Sequence, residues 1–211
     1  MKYVIVFMSL FLSLASAQDF YDDFEDDYIG DWDERCQPAY WYAAEGMAQC
    51  IDALNPSALV APGGMIMQDC QLQAFGTATH VFGVVARLDG YDSGIFAFVS
   101  PDHDVARIRL VQNGYTTTIL NSLYYPFPSG VDYMLTFTCL GDSLHLLIEA
   151  PDLGLSWELD AEDPYIRSGE TGILAAEEPH GYWDWFSVCG LTESETGIWA
   201  CDVDDDAQGG S

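Results

Sequence analysis

The sequence predicts an all-β protein built from two stacked antiparallel sheets. Three observations lead to this fold class. Short runs rich in β-branched and aromatic residues recur from about residue 58 onward, turn residues separate them, and no segment keeps a helical spacing of apolar residues over three turns. Hydrophobic residues make up 49% of the 211-residue chain and aromatic residues 14%. This is enough apolar material for a folded core in spite of the high net charge.

The predicted strands follow one another at short intervals. In order they are SALVA (57–61), CQLQA (70–74), HVFGVVARL (80–88), GIFAFVS (94–100), ARIRLVQ (106–112), TTTILNS (116–122), YMLTFTCL (133–140), SLHLLIEA (143–150), LSWELD (155–160), TGILAA (171–176) and YWDWFSVCG (182–190). The sequences PDHD, QNGY and LGDS between them contain residues that tolerate tight bends.

The alternation of apolar and polar residues assigns the faces of these strands. Between residues 133 and 149 the apolar side chains point one way, while Thr136, Thr138, His145 and Glu149 point the other. FGVVA and IFAFV are apolar on both faces, as expected of strands near the middle of a sandwich. Two packed antiparallel sheets account for both patterns.

The chain divides into three predicted parts: a signal peptide (1–17), one sandwich domain (18–190) and an acidic C-terminal tail (191–211). The first part combines Lys2, an apolar run of about 12 residues and an Ala-Ser-Ala ending, which is typical of a cleaved signal peptide. A membrane-spanning helix needs roughly 20 apolar residues. We therefore expect a secreted protein with no membrane insertion.

The net charge of −28 limits the partners that the chain can bind. Lys2 is the only lysine, so five arginines are the fixed side-chain cations of the predicted mature chain. Such a chain repels phosphate backbones and anionic membranes, so no nucleic acid partner is expected. Its dense carboxylates favour a hard divalent cation, above all calcium, or form a solubilising shell.

Six cysteines follow the predicted signal peptide, and an even number in an exported chain favours disulfides. No CxxC or His-rich spacing supports zinc. Cys36 with Cys50 and Cys189 with Cys201 are close enough in sequence to close locally. By contrast, Cys70 and Cys139 lie on predicted strands and are candidates for buried thiols. The full pairing stays open.

Several segments follow one another in an order that is characteristic of one superfamily. They are DDFEDDYIGDW, AYWYAAEGMAQC, GVVARLDGYDSGIFAFVSPD, ARIRLVQNGYTTTIL, GVDYMLTFTCLGDSLHLLIE, SGETGILA and YWDWFSVCG. This order resembles the concanavalin A-like jelly roll, in particular its extracellular laminin-G-like and carbohydrate-binding-module branch. The similarity runs from about Asp19 to Cys189. It implies a two-sheet antiparallel jelly-roll sandwich, and it implies an architecture rather than an activity.

The resemblance also implies that the first and last strands pair, which would bring Phe24 and Glu25 beside Asp184 and Phe186. Some members of the superfamily hold a structural calcium there. Glu25 and Asp184, with Asp23 as a third ligand, are therefore candidate metal ligands. Clustered carboxylates repel one another unless a cation neutralises them. The alternative is that Asp184 accepts backbone hydrogen bonds at a sheet edge.

The sequence ELDAE, residues 158–162, is similar to the catalytic signature of laminarinase-type glucanases, which share the jelly roll. In a retaining mechanism this similarity makes Glu158 the nucleophile, Asp160 its electrostatic partner and Glu162 the general acid. Only two predicted strands follow the motif. The Asp-Pro sequence directly after Glu162 breaks a strand, so we expect Glu162 to lie in a turn, away from the face of the other two. Catalysis is therefore the alternative hypothesis.

The four histidines fall in separate predicted elements, and no GxSxG or HExxH sequence accompanies them. No general base is predicted from them.

Aromatic residues in or beside predicted turns are the remaining candidates for ligand binding. These candidates are Trp41, Tyr42, Tyr91, Tyr124 and Tyr125. Rings beside Asp or Asn acceptors suit sugars, because CH groups pack on the ring while hydroxyls meet its polar edge. The alternative is that these rings plug the open ends of the sandwich. The tryptophans expected in the core are Trp32, Trp157, Trp183 and Trp185.

Taken together, these features predict a secreted, non-catalytic, glycan-binding protein of the lectin type, stabilised by a structural calcium. Its expected partner is an extracellular glycan or a surface protein. Two alternatives stay open: a glycoside hydrolase of the same fold, and an extracellular structural or adhesive protein.

Overall fold

The computed structural model describes residues 20–37, 39–51, 56–114, 116–176, 181–193 and 199–201. This part of the chain forms strands and two single-turn 3₁₀ helices, Pro101–His103 and Pro151–Leu153. The strands are β1 (Phe20–Asp22), β2 (Asp33–Cys36), β3 (Tyr40–Ala44), β4 (Met47–Ile51), β5 (Ser57–Val60), β6 (Cys70–Ala78), β7 (Phe82–Leu88), β8 (Gly94–Ser100), β9 (Val105–Gln112), β10 (Thr116–Tyr124), β11 (Val131–Leu140), β12 (Ser143–Ala150), β13 (Leu155–Glu162), β14 (Glu170–Ala175), β15 (Gly181–Glu193) and β16 (Trp199–Cys201). The strands predicted between residues 57 and 190 are all present, as β5 to β15.

The strands form two antiparallel sheets. Sheet A has nine strands in the order β13-β12-β11-β6-β15-β4-β3, with β1 and β16 also paired to β15. Sheet B has seven strands in the order β10-β9-β8-β7-β14-β5-β2. The amide side chain of Asn121 in β10 donates to the carbonyl oxygen of Asp160 in β13 at 2.6 Å, so a hydrogen bond joins the two sheets along one edge. The predicted two-sheet sandwich is confirmed.

The longest strand, β15, organises sheet A. It pairs with β6 on one side and, on the other, with β4, β1 and β16 in succession. In the register of β1, Asp22 lies opposite Phe186. The expected pairing of the first strand with the last long strand is therefore confirmed.

The core lies between the inner faces of the sheets. Every second residue of β6, starting at Cys70, is buried, and β7 and β8 are buried on both faces as predicted. Trp183 of sheet A stacks on Phe82 of sheet B, with ring centroids 5.4 Å apart and an interplanar angle of 23°. This contact between two fully buried rings fixes how the sheets face each other.

The state of the cysteines differs from what their spacing in the sequence suggested. Cys36, Cys50, Cys70 and Cys139 carry thiols, so the local Cys36–Cys50 closure that the sequence allowed is not formed in this structure. Cys36 ends β2 in sheet B, whereas Cys50 belongs to β4 in sheet A. Closeness in sequence did not place them on one sheet. A bond from Cys189 to Cys201 stays a prediction, because the side chain of Cys201 lies outside the described part of the chain.

The predicted signal peptide and the predicted acidic tail lie at the two ends of the chain. Residues 1–17, the predicted signal peptide, lie outside the described ranges. Strand β16 lies within the segment predicted to be a tail and pairs with the end of β15, with Leu191 opposite Cys201. Within the described ranges, no helix is long and apolar enough to cross a membrane.

Candidate functional site

The candidate site is the face of sheet A that points away from sheet B, which we call the outer face. Strand alternation creates it, because residues between the buried positions of β6, β11 and β12 point outward. Thr136, Thr138, His145 and Glu149 all lie on this face at half-buried positions. The face assignment made from sequence is therefore confirmed for this hairpin.

Two polar rows cross the outer face. In the first, Gln73 lies opposite Thr136 and donates its amide hydrogen to the threonine hydroxyl oxygen at 3.3 Å. In the second, Gln71 lies opposite Thr138 and makes the same contact at 3.2 Å. These bonds use one amide hydrogen of each glutamine, and the remaining amide and hydroxyl valences can pair with a ligand.

The second polar row continues to the edge of the sheet. His145 follows Thr138 in the register, and Asp160 of β13 follows His145. The Nδ1 atom of His145 lies 2.8 Å from a carboxylate oxygen of Asp160. A donor and an acceptor are thus fixed next to each other at the exposed end of the row.

Beside the polar rows lies an aromatic cluster formed by Tyr21, Phe75 and Trp185, which we call the aromatic platform. The Trp185 ring stacks on Phe75 with centroids 6.3 Å apart at 23°, and Tyr21 lies 6.2 Å away at 37°. Tyr21 is 48% exposed and Trp185 is half-buried. A ring held by its neighbours and open on its remaining surface suits stacking by an apolar ligand face.

A β-bulge creates the aromatic platform. Trp183 lies opposite Gly76 and Trp185 opposite Phe75, so Asp184 is an extra residue in β15. Trp183 is fully buried, and the extra residue turns Trp185 to the opposite face. The expectation that Trp185 belongs to the core is therefore wrong, although Trp32 and Trp183 are buried as expected. Trp157 is partly buried against the core.

Glycine is required opposite this bulge. A Cβ atom at position 76 would lie 1.9 Å from the carbonyl oxygen of Tyr182 and 2.9 Å from the Cα of Trp183. Both are backbone atoms, so no side-chain rotation can relieve the overlap. Gly76 thereby permits the close backbone approach that puts Trp185 on the outer face.

The three carboxylates of the ELDAE motif lie together at the edge of the outer face. Glu158, Asp160 and Glu162 alternate with the more buried residues of β13, and all three are exposed. Glu162 is still in the strand, opposite Ser143. The expectation that it lies in a turn is therefore wrong. The turn begins one residue later, at Asp163, whose buried carboxylate accepts the backbone N–H of Ile166 at 2.9 Å.

An open groove of about 660 Å³ runs along this edge. Its polar lining comes from Thr138, Ser143, His145, Asp160 and Glu162. The groove therefore joins the second polar row to the carboxylates of β13. All of these groups can accept a hydrogen bond, and the hydroxyls and the imidazole can also donate one.

Arg87 fixes the loops at the end of the groove. Its guanidinium is fully buried and donates to three backbone carbonyls: Gln68 at 2.9 Å, Gly141 at 2.9 Å and Ile166 at 3.1 Å. Its φ angle of 55° lies in the left-handed region, at a register shift between β7 and β14. Asp69 accepts the backbone N–H of Gly141 at 2.7 Å. Three chain segments thus converge on one cation.

The aromatic residues predicted from turns are not gathered in one place. Trp41 packs on Trp183 at 5.3 Å and donates its indole N–H to the hydroxyl of Ser57 at 2.9 Å, which is a core role. Tyr42 lies on β3 at the edge of sheet A and donates its hydroxyl to Gln49 at 2.7 Å. This edge is opposite to the one formed by β13.

The other three predicted aromatics are placed on loops of sheet B and its edge. Tyr91 is 78% exposed in the turn between β7 and β8, and Tyr124 is 69% exposed at the end of β10. These positions lie at opposite ends of sheet B, because Tyr124 pairs with Val105 whereas the turn of Tyr91 adjoins the β9–β10 turn. Tyr125 lies 5.1 Å from the ring of Trp157.

The proposed calcium ligands lie on two elements, the loop after β1 and the bulge of β15. The carboxylate of Asp23 accepts the backbone N–H of Glu25 at 3.3 Å, and Glu25 approaches Gly46. Asp184 is at the bulge of β15, where burial and then the charge of Asp132 raise the pKa of its carboxyl group. In the ranges that the structure describes, no three His, Cys, Asp or Glu side chains form a group that could hold a metal ion. These donors do not by themselves fit calcium.

Acidic residues near the first strand have a different role. Asp22 accepts the backbone N–H of Phe24 at 2.8 Å and the indole N–H of Trp32 at 2.9 Å. Asp26 and Asp27 accept the backbone N–H groups of Tyr28 and Gly46. These carboxylates therefore stabilise the loop that follows β1 by satisfying its backbone donors.

Two histidines meet at one carboxylate, which the sequence did not reveal. Asp102 lies 3.0 Å from Nδ1 of both His80 and His103, and Ser100 donates to it at 2.7 Å. Burial raises the pKa of Asp102, but the hydrogen bonds of His80 and Ser100 and the nearby His103 outweigh burial, so its pKa is lowered overall. Ser100 Oγ also lies 3.2 Å from Nδ1 of His103, but the same nitrogen faces Asp102, whereas a Ser-His-Asp triad uses the two different ring nitrogens.

Comparison with known proteins places the fold. No family model matches the sequence, and no curated protein matches it. Among solved structures, carbohydrate binding module CBM66 from Bacillus subtilis aligns with a TM-score of 0.61 and 15% identity over 76% of this chain and 92% of that one. Winged bean acidic lectin complexed with methyl-alpha-D-galactose aligns with a TM-score of 0.57 and 11% identity over 82% and 98%.

A third solved structure is also similar to this chain. The exoplasmic/lumenal domain of VIP36, in its Ca²⁺/Man3GlcNAc-bound form, aligns with a TM-score of 0.57 and 12% identity over 82% of this chain and 94% of that one. At such identities the similarity establishes the fold and not the activity. With its two antiparallel sheets, its paired first and last long strands and these neighbours, the chain has the concanavalin A-like jelly-roll fold.

Proposed function

We propose that this protein is a secreted, non-catalytic glycan-binding protein and that the outer face of sheet A is its binding surface. The observation that carries the proposal is the arrangement of the aromatic platform beside the two polar rows. Trp185 supplies a ring, while Gln71, Gln73, Thr136 and Thr138 supply amide and hydroxyl groups at fixed spacing. A sugar has an apolar CH face and a rim of hydroxyls, and this surface offers a partner for each.

The binding mode follows from these positions. A sugar ring stacks on the exposed part of the aromatic platform. The following sugar residues of the glycan extend across the polar rows toward His145 and Asp160. Adjacent strands are about 4.8 Å apart, so a row of five strands presents several sugar-sized contacts in a line. Similar solved structures support this proposal: one is a carbohydrate binding module, one is a lectin complexed with methyl-alpha-D-galactose, and one is a Man3GlcNAc-bound domain.

Charge selects among glycans. The outer face carries Glu158, Asp160 and Glu162 at one edge, and the chain as a whole has a net charge of −28. An anionic polysaccharide is repelled, and a neutral one is accepted. We therefore assign the site to neutral glycans.

The test is retention of purified protein on a panel of polysaccharides that includes β-glucan, xylan, mannan, galactan and anionic polygalacturonate. We expect at least one neutral polysaccharide to retain the protein and polygalacturonate not to. Trp185→Ala should weaken binding about tenfold, equivalent to about 1.4 kcal/mol. Tyr91→Ala is the matched control, since Tyr91 is an exposed aromatic outside the outer face. No retention by any polysaccharide, or equal loss in both variants, would reject the proposal.

A glycoside hydrolase is the second candidate, and one observation favours it: Glu158, Asp160 and Glu162 share one face beside the groove. All three are exposed, so none of them lies in the kind of apolar pocket that holds the general acid of lysozyme. Release of reducing ends that Glu158→Gln abolishes would establish hydrolysis. Retention without release supports binding alone, and self-association without retention supports a structural or adhesive role.

A further inference from the structure

Cys70 and Cys139 face each other across two central strands of sheet A. They form the last pair in the register of β6 with β11. Directly opposed residues in antiparallel strands have Cα atoms about 4.5–5.5 Å apart, and a disulfide needs a Cα separation of about 4.4–6.8 Å. The backbone of this pair therefore already meets the distance requirement for a disulfide.

The surrounding contacts hold the pair in this position. Arg87 donates to the carbonyls of Gln68 and Gly141, which lie within two residues of Cys70 and Cys139 respectively. Asp69 accepts the backbone N–H of Gly141, so the two strand ends are also joined directly. Both cysteines are fully buried on the inner face. Neither strand end can slip without breaking these hydrogen bonds.

We propose that Cys70 and Cys139 form a cross-strand disulfide when the chain folds in an oxidising compartment. The two thiols release two protons and two electrons as the S–S bond forms. A small-molecule or protein disulfide accepts the electrons and is reduced to two thiols.

The bond forms before the sandwich closes. In the folded, reduced protein, burial raises the pKa of the Cys139 thiol well above its usual range, and the hydrogen bond and charge of Cys70 raise it further. The thiolate is the attacking species in disulfide exchange. Folded thiols that are fully buried and protonated react slowly, so oxidation belongs to the folding chain.

The disulfide would lie on the inner side of sheet A, beneath the outer face. Gln71 follows Cys70, and Thr138 precedes Cys139, so the bond lies directly beneath the second polar row. A covalent link between β6 and β11 fixes their register, and a one-residue slip would turn these polar side chains into the core. The link therefore preorganises the surface, although its formation does not depend on what that surface binds.

The experiment is a disulfide map of protein refolded from the fully reduced, unfolded state in a glutathione redox buffer. Remaining thiols are alkylated in denaturant, the chain is digested without reduction, and the peptides are identified by mass spectrometry. We expect the peptides containing Cys70 and Cys139 to be joined and to separate on reduction. The Cys50→Ala variant should keep this link, and Cys139→Ala should leave Cys70 alkylated.

Two results would overturn the proposal. One is alkylation of both Cys70 and Cys139 in the refolded wild-type protein. The other is a link from either residue to a different cysteine. The timing is tested by placing folded, reduced protein in the same buffer: we expect the link to appear at least tenfold more slowly than during refolding, and equal rates would show that the closed sandwich is also oxidised.

Discussion

Replacing Arg87 with methionine removes the cation that holds three segments at the end of the groove. The methionine side chain fills much of the same space but donates no hydrogen bond. In the variant, the carbonyls of Gln68, Gly141 and Ile166 lose their donor, and each is within 3.1 Å of the guanidinium in the wild type. Arg87 itself is fully buried, so water does not screen the loss.

The magnitude follows from these three bonds. Hydrogen bonds from a charged donor contribute about 1.5–3 kcal/mol each. Burial of the guanidinium offsets part of this sum, because taking a charge out of water is unfavourable. Removing one partner of a buried charged network destabilises by about 3–5 kcal/mol. For a chain of this size each kcal/mol lowers the melting temperature by about 2–4 °C, so we expect a fall of about 6–20 °C.

The assay is thermal and urea unfolding of both proteins under the same conditions, followed by circular dichroism. Arg107→Met is the matched control: Arg107 is half-buried, and its guanidinium lies 6.0 Å from the centre of the Tyr124 ring. We expect this control to change stability by less than about 1 kcal/mol. An Arg87→Met protein within about 1 kcal/mol of wild type would show that the buried cation does not fix these loops.

Three further changes test other parts of the structure. Gly76→Ala should destabilise the protein by about 3 kcal/mol or more in urea unfolding, because its Cβ would overlap the backbone at Tyr182. Gly90→Ala is the control and should be nearly neutral, because a Cβ there meets nothing within 4 Å. Asp102→Asn should lower the free energy of unfolding at neutral pH. Because folding lowers the pKa of Asp102, its carboxylate stabilises the protein above about pH 4, and this stabilisation is lost as the pH falls through the folded pKa. The unfolding curves of the variant and the wild type should therefore converge in acid. Burial raises the pKa of the Asp184 carboxyl group, so Asp184→Asn should raise the melting temperature at neutral pH in a chelator. Calcium should leave the melting temperatures of both proteins unchanged, and a rise for the wild type alone would show that calcium binds at Asp184.

Local patterns in the sequence were sufficient to predict most of the architecture. Alternation over residues 133–149 assigned Thr136, Thr138 and His145 to the outward side because each strand there is regular, with one buried face. The strands missed were short: β1 and β16 have three residues each, β2 has four, and β3 and β4 have five each. Too few residues alternate in such strands to reveal a period of two.

The candidate site was less predictable, because its key features depend on contacts between distant residues. Trp183 and Trp185 are two positions apart, which in a regular strand means the same face, and only the bulge opposite Gly76 separates them. Glu162 stays in β13 because Ser143 pairs with it, despite the proline that follows two residues later. His80 and His103 meet at Asp102 through the fold of two separate loops. No local pattern carries this information.

Side-chain footprinting locates the surface on which glycans bind, which we propose is the outer face of sheet A. The protein is exposed to hydroxyl radicals with and without the neutral polysaccharide that retains it best, and oxidation is measured residue by residue. We expect the polysaccharide to protect Trp185 and Phe75, while oxidation of Tyr91 and Tyr124 is unchanged. Protection of Tyr91 or Tyr124 with Trp185 still fully oxidised would show that glycans bind elsewhere.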